Sequence, residues 1–148
     1  MKKNLTIITG LIIATVLDGI VAYQPVITAF TEKPVEKRIA LSVYRANNYS
    51  SEVYNQTSAQ VHIVVEKVSK HTRTIVWEKT LDTRLLKQYP TIDQAMSQNI
   101  TIPGVLDKKE HLEIKYTLIY NSKGSQLEME DGSVLSTGEN TGKLHISI

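Results

Sequence analysis

Residues 111–120, HLEIKYTLIY, carry a sustained period-two alternation: Leu112, Ile114, Tyr116, Leu118 and Tyr120 share one face, Glu113, Lys115 and Thr117 the other. A period of two over that length marks a half-buried β-strand, because successive side chains of an extended chain point to opposite faces. Residues 121–125, NSKGS, form a turn cluster, and residues 126–130 resume the alternation through Leu127 and Met129. The pair reads as a β-hairpin whose apolar face requires a second sheet to cover it.

The same period recurs along the chain. Residues 38–44 place Ile39, Leu41 and Val43 on one face, and residues 59–68 do so with Val61, Ile63 and Val65. A polar turn at residues 69–72 returns the chain into residues 73–81, where Ile75 and Trp77 alternate with Thr74, Val76 and Glu78, giving a second hairpin. Residues 99–103 and 143–148 supply further strands, and Val134-Leu135 a short edge strand beyond a turn at Asp131-Gly132-Ser133. The core is expected around Trp77, Ile75, Val61, Ile63, Ile114, Tyr116 and Leu118.

Residues 82–97 break the β pattern. Asp82 heads a short helical turn through Leu85 and Leu86 that stops at Tyr89, because Pro90 follows. Thr91 and Gln94 have capping-box spacing. A segment of this kind carries the chain from one sheet to the other. The fold class expected is therefore all-β, an antiparallel β-sandwich of about seven strands with immunoglobulin-like topology, although the Cys…Trp…Cys spacing of antibody domains is absent.

The amino-terminal residues differ from all this. Lys2 and Lys3 precede an apolar run over residues 5–17, and Ala22 offers a small residue for cleavage. That is the layout of a secretory signal peptide. Residues 5–23 also suffice to span a bilayer, which takes about 17–25 residues, so the alternative is an uncleaved anchor. The organisation expected is residues 1–22 as signal peptide or membrane anchor, 23–37 as a linker containing Pro25 and Pro34, and 38–148 as the sandwich. The protein is expected to be exported to the periplasm, cell surface or extracellular space, and tethered to the membrane if residues 1–22 are retained.

Composition narrows the chemistry. The 17 basic and 15 acidic residues are mixed along the chain, leaving no basic stripe for nucleic acid. The absence of cysteine excludes zinc–thiolate sites, disulfides and thiol nucleophiles. His62, His71, His111 and His145 lack metal-ligand spacing, and Glu128, Glu130 and Asp131 offer too few oxygens for calcium. No nucleophile elbow, phosphate-binding glycine loop or His-Glu-x-x-His pattern occurs. Neither an enzyme nor a cofactor or metal is expected.

One loop has the composition of a binding surface. In residues 44–58, Tyr44, Tyr49 and Tyr54 recur every five residues among Asn47, Asn48, Asn55 and several serines. Tyrosine supplies contact area at low entropic cost and Asn and Ser supply adaptable hydrogen bonds, the mixture that paratopes use. The expected binding residues are Tyr44, Asn47, Asn48, Tyr49, Tyr54 and Asn55. The function expected is that of an exported, non-catalytic interaction or structural subunit of a cell-envelope or surface assembly, with protein partners. The alternative is a secreted binding module for a small ligand or glycan. A pilin-like subunit is a weaker alternative: Gly10 precedes an apolar run, but the run lacks an early acidic residue and Pro25 follows soon after.

Overall fold

Eight strands form two sheets around one apolar core, in a computed structural model that describes residues 32–148. The expectations for residues 1–22, and for the linker as far as residue 31, lie outside the described residues. The smaller sheet has the order β5-β1-β8, from β1 (Val35–Tyr44), β5 (Met96–Val105) and β8 (Thr141–Ser147). The larger has the order β3-β2-β6-β7, from β2 (Ser58–Ser69), β3 (Arg73–Thr80), β6 (Glu110–Ser122) and β7 (Ser125–Leu135). A two-residue strand, β4 (Arg84–Leu85), also pairs with β2. All pairings are antiparallel except that of β1 with β8. An all-β sandwich is what the alternation anticipates.

The inward faces are those the period-two pattern selects. Ile39, Leu41 and Val43 on β1, Ile100 and Ile102 on β5, and Leu144 and Ile146 on β8 meet Val61, Ile63, Val65, Leu112, Ile114 and Leu118 from the larger sheet. Burying each of these aliphatic side chains contributes about 1.5–3 kcal/mol of transfer free energy, and this core is what fixes the register of both sheets.

Ile75 departs from the expected core. Val65 pairs with Trp77, but Glu66 pairs with Ile75, so a bulge at Val76 inserts one extra residue into β3. The extra residue turns Ile75 to the opposite face from Trp77. Ile75 is 55% exposed, whereas Trp77 is half-buried against the core. Tyr116 is likewise only half-buried, and its hydroxyl donates to Asp131 at 3.2 Å.

The organising hairpin is longer than its turn cluster suggests. Lys123 and Gly124 both take positive φ (49° and 84°), the requirement of a two-residue type I′ turn, and Ser122 pairs directly with Ser125. Asp131-Gly132-Ser133 is not a turn, since β7 runs through it to Leu135. Glycine at 132 answers a different need. A Cβ there would lie 2.4 Å from the Ile114 carbonyl oxygen, so only glycine lets β7 approach β6 so closely.

Residues 82–95 carry the chain from β3 in the larger sheet to β5 in the smaller, through 3-10 turns at Leu86–Gln88 and Ile92–Gln94. The Thr91 side chain makes no cap. It is the Gln88 side chain that accepts from the Leu85 N–H, at 3.1 Å.

Candidate binding cleft

An apolar cleft of about 470 Å³ opens at one end of the sandwich, between the loop after β1 and the inner face of the β6–β7 hairpin. Its walls include Tyr49, Val53, Tyr54, Tyr120, Leu127 and Met129. Leu127 and Met129 lie on the inward face of β7, opposite Tyr120 and Leu118. A three-stranded sheet is narrower than the larger sheet it covers. β7 packs near β8 through Leu135, which is buried, but towards the hairpin tip nothing among the described residues covers it. Leu127 is therefore 60% exposed, Met129 53% and Val53 65%. Large apolar side chains exposed singly are ordinary, whereas several lining one concavity mark a docking surface.

The loop supplies the other wall. A 3-10 turn at Glu52–Tyr54 projects Val53 and Tyr54, and the Thr57 hydroxyl fastens the end of the loop to Ser122 of β6 at 3.0 Å. Tyr49 and Tyr54 meet edge to face, with ring centroids 5.1 Å apart and planes at 72°. Tyr49 holds φ at 51°, a left-handed conformation that costs a bulky residue on the order of 1–3 kcal/mol and concentrates at functional sites. Burial pushes the Tyr49 phenol above its ordinary pKa, with Tyr54 adding to the effect, and burial does the same to Tyr120, aided by Tyr49. These hydroxyls remain neutral donors throughout the physiological range.

Of the six expected binding residues, the fold brings two to the cleft. Tyr49 and Tyr54 line it. Tyr44 ends β1, half-buried, and its carbonyl accepts from Ile148 N–H at 2.9 Å. Asn47 is exposed on the loop, Asn48 turns its side chain back to Ser50, and Asn55 closes the 3-10 turn. The residues missed were Val53, Tyr120, Leu127 and Met129. The signal for Tyr120, Leu127 and Met129 was present in the alternation of residues 111–130, which marks them apolar-faced but implies that they are covered; Val53, alone among polar loop residues, gave none.

A second hollow, about 500 Å³, lies over the larger sheet beside Glu66, Ile75, Glu113, Lys115 and Val134. The charges at its centre are already paired. Arg73 bridges Glu66 and Glu113 at 2.5 Å each, and Lys115 reaches Glu66 at 2.8 Å. Arg73 above all, with His111 and Lys115, holds the Glu113 carboxyl down at about 2, and Lys115 and Arg73 lower Glu66. Two cations facing two carboxylates neutralise the centre of the hollow, while Glu130 and Asp131 leave its β7 side acidic. The histidines are engaged similarly: His62 with Thr80 at 2.8 Å and His145 with Ser42 at 2.6 Å. Among the described residues no group of His, Cys, Asp or Glu is placed to hold a metal ion.

Compared with protein-family models, curated proteins and solved structures, the chain matches none.

Proposed function

We propose that this is an exported, non-catalytic β-sandwich protein that serves as an interaction subunit of a cell-envelope or surface assembly. It binds a protein partner at the cleft between the loop after β1 and the β6–β7 hairpin. The observation that carries the reading is the set of exposed apolar side chains lining that one concavity: Val53, Tyr54, Leu127 and Met129. Export rests on the composition of residues 1–22. The immunoglobulin-like label draws support from the two stacked sheets, although the β2–β3 hairpin stays within one sheet, and the function does not depend on it.

The second reading, a small ligand or glycan, draws on the paired rings of Tyr49 and Tyr54 beside the polar groups of Thr57, Ser122 and Gln126. A protein partner is favoured because the cleft continues onto exposed β7 rather than closing around a small molecule.

The double variant Tyr54→Ser, Leu127→Ser separates binding from stability. Leu127→Ser, at an exposed position, should change stability by no more than about 0.5 kcal/mol, and Tyr54→Ser by about 0.5–1.5 kcal/mol through loss of its edge-to-face contact with Tyr49. Loss of two interface anchors should weaken partner binding by more than about 2 kcal/mol. Partner capture by the purified protein, compared at matched folded concentration, reads this out. Undiminished capture by the double variant would remove the cleft from the account.

A further inference from the structure

We propose that the partner enters as an extended segment of alternating basic and apolar residues, adding a strand to the outer edge of β7 at Ser125–Glu130. The proposal rests on the reading of the cleft as a protein-binding site. It names how the partner binds and what chemistry it carries.

Three observations converge on that edge. First, among the described residues β7 pairs with β6 alone. In an antiparallel ladder closed by a two-residue turn, alternate residues direct their backbone groups away from the partner strand. Ser122 pairs with Ser125, so the N–H and C=O of Gln126, Glu128 and Glu130 face outward, without a partner among the described residues. Further along, the Asp131 carboxylate caps the Gly132 N–H at 2.7 Å, and this closes the edge to further pairing. The open stretch therefore ends at Glu130. It is the same stretch whose inward side chains, Leu127 and Met129, line the cleft.

Second, the side chains set an alternation on any strand that joins. Its residues on the inner side meet Leu127, Met129 and the tyrosine wall, and call for apolar side chains. Those on the outer side lie across from Glu128 and Glu130, and call for Lys or Arg. Third, residues 124–142 contain Glu128, Glu130, Asp131 and Glu139 and no Lys or Arg, in a chain whose net charge is +2. This charge also argues against a second copy of β7 as the occupant, because antiparallel self-pairing sets Glu128 and Glu130 against themselves. Strand addition of this kind draws affinity from main-chain hydrogen bonds and specificity from alternate side chains.

The probe is the peptide acetyl-Thr-Val-Lys-Val-Lys-Val-Thr-amide, followed by amide hydrogen exchange and NMR shifts of the full-length protein. Its counterpart, N-methylated on both lysines, keeps charge and apolar surface but loses two of the donors that face β7. The expected result is saturable binding that protects the Gln126, Glu128 and Glu130 amides, shifts the Leu127 and Met129 methyls, and vanishes with the methylated peptide. Glu128→Lys with Glu130→Lys, both at exposed positions, should weaken it about tenfold through lost and reversed cross-strand pairs. The proposal is overturned by absent binding, by equal binding of the methylated peptide, or by binding without protection of those amides. It is also overturned if the amides are already protected in the peptide-free protein, since the edge is then held by a second copy or by the chain's own residues. If the Tyr54→Ser, Leu127→Ser variant loses its partner while the peptide leaves the edge unprotected, strand addition fails and the cleft stands. If that variant keeps its partner, the cleft reading itself fails.

Discussion

Tyr89→Ala is expected to destabilise the protein by about 4 kcal/mol, and Tyr89→Phe by about 1 kcal/mol. Tyr89 is only 2% exposed and belongs to the core, with its hydroxyl donating to the Ala59 carbonyl at 2.9 Å. Pro90 explains how an aromatic residue of the crossover arrives there. Proline disfavours a helical conformation in the residue before it, and Tyr89 takes ψ of 143°, which ends the 3-10 turn at Leu86–Gln88. Alanine would leave an aromatic-sized cavity among side chains that relax only partially. Phenylalanine keeps the volume and loses one buried hydrogen bond. Urea denaturation midpoints at unchanged m report both values, and equal costs for the two variants would show that the ring is not packed.

Lys37→Met should cost about 3 kcal/mol, the low end for breaking a buried ion pair, because Asp107 keeps some contact with water. Lys37 lies on the inward face of β1, opposite Ile102, and is 0% exposed. Its ammonium donates to the Ser136 carbonyl at 2.8 Å and the Glu139 carbonyl at 2.8 Å, and forms an ion pair with the Asp107 carboxylate at 2.6 Å. It thereby ties the start of β1 to the β5–β6 and β7–β8 connections. Methionine fills the space but strands two carbonyls and a carboxylate. The pair also sets a pH dependence. Lys37, with help from the Gly138 N–H, lowers the Asp107 pKa, so the contribution is fully present above the unfolded carboxylate value, about 3.9, and is lost as pH falls below it. In Lys37→Met that acid-side loss should shrink. An unchanged acid limb would place the coupling elsewhere, in Glu66 and Glu113.

The architecture was largely legible in the period-two pattern, because burial of one face dictates alternation wherever a strand has a single wet side. Where the pattern failed, a local device had shifted the geometry. The bulge at Val76 reversed Ile75, and no composition signal announces an extra residue in a β-branched run. Gly132 looked like part of a turn, yet it serves a close strand approach that only the paired partner reveals. Lys37 was assigned to a linker because a charged residue between Glu36 and Arg38 reads as solvated, and its acceptors lie about a hundred residues away in sequence. β1 accordingly begins at Val35 rather than at residue 38. The candidate site was half legible. Composition marked Tyr49 and Tyr54, but the opposing wall depends on how far the smaller sheet extends over the larger, which is a tertiary property.

Photo-crosslinking from position 127 tests the central claim most directly. A photoreactive residue replacing Leu127, and in a parallel variant Thr101 on the exposed face of β5, is irradiated in cells that make the protein. The account predicts one discrete protein adduct from position 127, none from position 101, and loss of the adduct when Tyr54→Ser is added. Absence of an adduct at 127, or an adduct there that survives Tyr54→Ser and also forms from position 101, would contradict it.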